Sequence, residues 1–411
     1  MTSTGGAAHP DCARTGARGG RLHIVVLTIA CDPFHRAALR YGLSAVLRAA
    51  QQSMQTIAHR LGNDAVVTRV AESRWRVAVR LRGASRAQLY GNLEKVLSLV
   101  VRDSDPTDRY LDCHVGVAVE PELPGVARTD LADYADAALS LGLRARHRIR
   151  FAGRADVAAI RDSVDLATRL RQAALDDFPL VYQPIVRLSD RAVLGFESLL
   201  RWREGPTLHT PGNFLAEAEM SWRVVEMGRQ TVPVAVGALA TELASLCTGD
   251  APFVTINLSA QQLLDPRLTS IIATALDRHD IAPHQLWIEV REDTAIARDS
   301  RASTTIGQLH KLGCRIGIDD LGAGYSALTY IRDLPIDILK LDRSLVTRVA
   351  DDPLSAVVMT AICQMAAAAG ITTVAEGIES EDLIPPLEEY GIDYAQGFLF
   401  GRPAFPAELV G

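Results

Sequence analysis

Short apolar runs recur along this chain, and in its second half they return at regular intervals. From residue 180 onward they stand at Leu180–Val186, Val193–Leu200, Phe253–Leu258, Leu286–Val290, Arg315–Ile318, Ile336–Leu341, Thr372–Ala375 and around Tyr394–Gln396. Brief apolar runs bounded by turn residues read as buried strands. Longer stretches such as Ser300–Leu312 and Ser355–Ala369 separate most of them and read as helices. Eight strands with intervening helices in roughly 230 residues predict an α/β fold, a closed (β/α)8 barrel of the TIM type. Only Leu188 to Arg191 joins the first two runs. That link is too short for a crossover helix, so the first strand is expected to be antiparallel. An open doubly wound sheet is the competing architecture, but no glycine-rich phosphate loop follows the early strands.

The first half has its own rhythm. Leu22–Ala30, Trp75–Leu81 and Tyr110–Val119 read as strands, and Ala37–Ala58 and Leu131–Leu141 as helices. This mixture predicts a small α/β domain over residues 21–152. Residues 1–20 are rich in Gly, Ala and Arg, lack an apolar h-region, and read as a flexible tail rather than a signal peptide. Ala155–Asp176 reads as a charged amphipathic helix, so residues 153–176 are expected to connect the first domain to a barrel at 177–411.

Composition narrows the classes. The 411 residues are 48% hydrophobic, enough for two real cores. No apolar run reaches membrane-spanning length. The six cysteines have no close pairs in sequence, which argues against a disulfide framework or a zinc site and favours a cytoplasmic protein. The net charge is −6, but residues 1–152 hold 21 Lys+Arg against 14 Asp+Glu, so the negative charge lies in the second half. Nothing in the pattern resembles a zinc finger, basic helix or aromatic-basic interleaving, so no nucleic-acid polymer is expected as a partner.

The acids that carry this charge are placed unusually. Glu289, Asp319, Asp320, Glu376 and Glu379 sit at or just after apolar runs. An acid at the end of a buried strand is costly unless something pairs with it. Glu197, Asn257 and Lys340 also fall near strand ends, which converge on one face of a barrel. A shared carboxylate pocket repels itself unless cations are bound. The oxygen-only donor set favours Mg²⁺ or Mn²⁺ over zinc. With two ions, the adjacent Asp319 and Asp320 suit a bridged pair that activates water for in-line phosphoryl displacement. Lys340 would orient that water, and Arg201, four residues after Glu197, would fork to a phosphate. Gly322–Ser326 reads as a mobile loop over the metals.

These segments, read in order, are Tyr182-Gln183-Pro184-Ile185, Glu197-Ser198-Leu199-Leu200-Arg201, Asn257-Leu258-Ser259 and Glu289-Val290-Arg291-Glu292. Asp319-Asp320-Leu321-Gly322-Ala323-Gly324-Tyr325-Ser326, Leu339-Lys340-Leu341-Asp342, Ala375-Glu376-Gly377-Ile378-Glu379 and Gln396-Gly397 follow. Together they resemble the EAL-domain family of cyclic di-GMP phosphodiesterases. The resemblance implies that Glu197, Asn257, Glu289 and Asp319 hold one metal ion, and that Asp319, Asp320 and Glu376 surround a second. It implies that Lys340 contacts the attacking water, Arg201 contacts phosphate and Glu292 anchors the loop after the paired aspartates. It also implies that Glu379 and Gln396 complete the pocket, with Gln183 at its entrance. Here Ser198 replaces the alanine of the family's name, Arg291 its usual threonine, Leu321 a phenylalanine and Ala323 a threonine.

The first half resembles a degenerate GGDEF domain, the diguanylate cyclase fold, through Ala30-Cys31-Asp32-Pro33-Phe34, Gly42 and Arg69. Its signature reads Ala71-Glu72-Ser73-Arg74-Trp75, without the glycines or the acid pair, so no cyclase activity is expected. The EAL-domain resemblance of the second half implies metal-dependent hydrolysis of cyclic di-GMP to linear pGpG, by a homodimer associating through the barrel. The alternative is a cyclic di-GMP receptor of weak or no turnover that signals to a protein partner.

Overall fold

The computed structural model describes residues 21–34, 36–61, 64–83, 85–102, 112–145, 147–249, 251–291, 300–321, 333–349 and 351–409. The chain divides into two compact units, Met1–Val164 and Asp165–Gly411. The division falls within the helix Asp156–Gln172, which lies inside the stretch expected to connect two domains.

The first unit is built on a five-stranded sheet. Its strands are β1 (Arg21–Cys31), β2 (Ala65–Ala71), β3 (Arg74–Gly83), β4 (Cys113–Val119) and β5 (Ile149–Phe151), in the order β2-β3-β1-β4-β5. The helix expected over Ala37–Ala58 is two, Arg36–Tyr41 and Leu43–Leu61. Gly42 separates them at φ +85°, a conformation that costs glycine little. Three further elements were not predicted, the short strand β5 among them. The helix Arg86–Arg102 buries Leu89, Leu93, Val96 and Leu97 at helical spacing. The edge strand β2 leaves Val66 and Val70 exposed, so its pattern carries little burial signal. The fold also sets Cys31 opposite Cys113, with their sulfurs 3.6 Å apart, although the two are far apart in sequence.

The second unit contains the expected barrel. Its strands are β6 (Leu180–Arg187), β7 (Val193–Leu200), β10 (Phe253–Asn257), β11 (Leu286–Arg291), β12 (Arg315–Leu321), β13 (Ile338–Leu341), β14 (Thr372–Ala375) and β15 (Tyr394–Gln396). A short hairpin of β8 (Trp202–Glu204) and β9 (Thr207–His209) intervenes outside it. The closed order is β10-β11-β12-β13-β14-β15-β6-β7. β6 is antiparallel to both its neighbours and the other pairings are parallel.

Side chains two apart on a strand share a face, and this places the site. Phe253 and Trp287 stack with ring centroids 3.7 Å apart, and Tyr394 meets both edge-on. With Ile185, Ile338 and Val374 they form an apolar layer inside the barrel. A Cβ on Gly195 would lie 2.4 Å from the Phe253 ring, so glycine at this position of β7 makes room for that ring. Two positions further along each parallel strand come Glu197, Thr255, Glu289, Asp319, Lys340, Glu376 and Gln396. On the antiparallel β6 the step runs backwards, from Ile185 to Gln183.

Candidate functional site

A single ammonium stands at the centre of that polar layer. Lys340 Nζ lies 2.7 Å from Glu376 Oε1, 3.0 Å from Glu289 Oε2, 3.3 Å from Glu197 Oε2 and 3.4 Å from Asp319 Oδ1. Lys340 is 1% exposed. Glu197 is fixed from its other side by two amides. Asn257 Nδ2 donates to its Oε1 at 2.7 Å, and Gln396 Nε2 to its Oε2 at 2.6 Å. Gln396 Nε2 also reaches Gln183 Oε1 at 3.0 Å, and Gln183 donates to the Gly401 carbonyl at 3.1 Å. Ser198 points the opposite way, and its hydroxyl donates to the Thr255 carbonyl at 2.6 Å. The serine therefore adds a satisfied buried hydroxyl outside the layer.

Neighbouring residues of a regular strand face opposite sides, so Asp319 and Asp320 should diverge. They do not, because the β12–β13 register shifts between Ile318 and Leu321, and Asp320 adopts φ +59°. Aspartate tolerates this left-handed conformation better than most residues. Carboxylate oxygens of Asp319, Asp320 and Glu376 consequently lie within 4.8 Å of one another. Leu321 is buried in the barrel core, and its carbonyl accepts from the Asp342 amide at 3.0 Å.

The charges do not balance. Burial pushes the Glu289 carboxyl up to about 8, with Lys340 opposing and Glu197 and Asp319 reinforcing. Burial likewise raises Glu376 well above the usual carboxylate range, and Lys340 only partly offsets it. Asp320 is raised by burial and then by Asp319. Burial alone would lower Lys340, but the surrounding carboxylates outweigh it and hold the lysine well above its usual value. Among the described residues, the buried Glu289 Oε1 and Asp319 Oδ1 have no hydrogen-bond partner. Four carboxylates thus face one ammonium, with Asp320 beside them at the rim next to Arg291, so acids outnumber the cations that reach them. Unsatisfied buried oxygens in an all-oxygen set are what hard divalent cations coordinate, so Glu197, Asn257, Glu289, Asp319, Asp320 and Glu376 fit as ligands.

A pH dependence of the metal-free protein follows. With its carboxyl at about 8 against an ordinary 4.5, folded Glu289 holds a proton that the unfolded chain has released. Where the native state binds more protons, stability falls as pH rises. In chelator, the wild type should lose thermal stability between about pH 4.5 and 8 more steeply than Glu289→Gln. Parallel melting curves for the two proteins across that window would show that Glu289 is ionised in the folded chain.

The remaining expected residues stand differently. The Arg201 guanidinium is half-buried and donates to the Leu200 carbonyl at 2.9 Å; burial lowers its pKa and Glu197 opposes this. Glu379 is forked on Arg343 at 2.6 and 3.0 Å. Asp342 caps the helix Arg343–Val346, accepting from Ser344. Glu292 and the loop Gly322–Ser326, including Ala323, lie outside the described residues. Sequence reasoning missed Arg343 as the partner of Glu379 and Thr255 as a buried hydroxyl beside the layer. The period-two step from the aromatic layer would have located Thr255.

The EAL domain family profile matches residues 167–403. The bifunctional diguanylate cyclase/cyclic di-GMP phosphodiesterase MucR of Pseudomonas aeruginosa is 36% identical over 369 residues, 88% of this chain and 51% of that protein. The uncharacterized protein Rv1357c of Mycobacterium tuberculosis is 34% identical over 265 residues, 61% of this chain and 84% of that protein. The chain spans about half the length of the first curated relatives it matches. Among solved structures, the PaMucR phosphodiesterase in complex with c-di-GMP superposes with a TM-score of 0.55 at 34% identity, covering 60% of this chain and all of that one. The EAL enzyme Bd1971, bound to cAMP and cyclic-di-GMP, gives a TM-score of 0.57 at 25% identity, covering 82% and 81%. No helix among the described residues is long and apolar enough to cross a membrane.

Proposed function

The chain belongs to the EAL domain family, and from that premise we propose that its barrel hydrolyses cyclic di-GMP to linear pGpG with two divalent metal ions. The observation that carries this reading is the polar layer of four carboxylates around Lys340, with Asp320 converging beside them and two buried oxygens lacking hydrogen-bond partners. Surplus carboxylates around one lysine are what divalent cations neutralise. Glu197, Asn257, Glu289 and Asp319 would hold one ion, and Asp319, Asp320 and Glu376 the other. Bound there, the ions would lower the pKa of water and polarise the phosphoryl oxygens.

The side chains account for the rest. Gln396 and Asn257 lock Glu197 in one orientation through both its oxygens. Lys340 lies within 3.4 Å of Asp319 and 2.7 Å of Glu376, where it can hold the attacking water and stabilise developing charge. Arg201, already partly desolvated, offers a guanidinium to a phosphate. Water adds to phosphorus, the bond from phosphorus to the 3′-oxygen breaks, and that oxygen leaves with a proton. A 5′-phosphate remains on the linear product.

Purified protein with Mn²⁺ or Mg²⁺ should convert cyclic di-GMP to pGpG, and chelator should stop it. Tight binding without product under both metals would instead establish a receptor. For the first unit we propose a degenerate GGDEF-like scaffold. Incubation with GTP and Mg²⁺ should give no cyclic di-GMP, and its synthesis would overturn this.

A further inference from the structure

Arg291 ends β11 on the same face as Glu289, at the rim of the polar layer. Its Cα is paired with Asp319 across the sheet, and its Nη2 lies 3.5 Å from Asp320 Oδ2. Asp320 is one of the three acids whose oxygens converge within 4.8 Å. It is turned there by the bulge and by its left-handed backbone. Burial, the neighbouring Asp319 and Asp342 push it toward its neutral form, and Arg291 foremost, with Lys340, opposes them. The other cation of the site, Lys340, is ion-paired with Glu197, Glu289, Asp319 and Glu376. Arg291 is therefore the cation paired directly with this carboxylate, and Lys340 acts on it more weakly.

We propose that Arg291 is a resident counter-cation of Asp320 that competes with the second metal ion for this carboxylate. The inference rests on the two-ion reading above. A guanidinium stays charged at every accessible pH, so protonation cannot remove the competition. For the second ion to bind, the guanidinium must leave Asp320 or share it with a dication at close range. Either cost weakens that ion selectively. In that reading Asp320 serves the second ion alone, so the cost falls on that ion. The Arg291 side chain is 56% exposed, so it can move without unpacking the core. Repulsion between a single and a double charge a few ångströms apart near a protein surface is worth at least a factor of roughly ten in affinity.

The test is calorimetric titration of the full chain with Mn²⁺, without substrate, for the wild type, Arg291→Thr and Arg291→Lys. The wild type should bind two ions in steps of unequal affinity. Arg291→Thr should tighten the weaker step roughly tenfold and leave the tighter step within about twofold. Arg291→Lys, which keeps the charge, should resemble the wild type. Two ions bound with the weaker step unchanged or loosened in Arg291→Thr would overturn the role of Arg291 and leave the two-ion reading standing. Fewer than two ions in the wild type and in Arg291→Thr alike would overturn both. A second ion appearing only in Arg291→Thr would support the competition in its strongest form.

Discussion

Asp319→Asn should cut the turnover of cyclic di-GMP by at least about a hundredfold, because one carboxylate would serve both metal ions. Asp319 Oδ1 is buried, has no hydrogen-bond partner and lies 3.4 Å from Lys340. Asp319 also belongs to the group with Asp320 and Glu376 that converges within 4.8 Å. Asparagine keeps the shape and removes the charge, so a loss of rate reports electrostatics rather than collapse of β12. Glu379→Gln is the contrast. Glu379 is half-exposed and forked on Arg343, and a pair so placed contributes little to stability. Product formation under saturating Mn²⁺, with melting curves to show that each variant folds, compares the two. Asp319→Asn retaining more than about a tenth of wild-type turnover would remove Asp319 from its shared role.

How much of this was legible in sequence depended on how local each feature is. The barrel strands announced themselves because each is a short apolar run, and the bounds of Val193–Leu200 and Thr372–Ala375 coincide with the folded strands. The antiparallel β6 followed from a loop too short to cross over. The polar layer was half-legible. Glu197, Glu289, Asp319, Lys340 and Glu376 could each be placed near a strand end. That four of these groups converge on one lysine is a property of closure, which no local pattern encodes. Adjacent Asp319 and Asp320 were assigned to one pocket from their place after an apolar run, although a regular strand would have sent them to opposite faces. The bulge and the φ of +59° that reconcile them are backbone facts. The same limit hid Arg343, whose fork to Glu379 joins residues 36 apart in sequence. In the first unit, the helix Arg86–Arg102 carried a readable stripe that was passed over. The edge strand β2 was obscured because its exposed valines break the expected alternation.

Lys340→Met should separate two jobs that the wild-type lysine performs together. In the metal-free protein the ammonium is the counter-ion within 3.4 Å of four carboxylates. Removing one partner from a buried charge cluster costs about 3–5 kcal/mol, so Lys340→Met in chelator should melt well below the wild type at neutral pH. The folded lysine is held well above its ordinary 10.5, so its stabilisation is fully present below that pH and is lost as pH rises through the folded value. As pH falls and the raised Glu289 and Glu376 carboxyls take up protons, less charge needs compensation, and the gap between wild type and variant should narrow. Saturating Mn²⁺ should also narrow it, because divalent ions replace the missing charge. Turnover should not recover with stability. An ion cannot substitute for a donor placed at the attacking water, so kcat should stay about a hundredfold low while KM moves little. A variant that melted like the wild type in chelator would refute the counter-ion role. A metal-loaded variant with full turnover and only a raised KM would refute the role at the water.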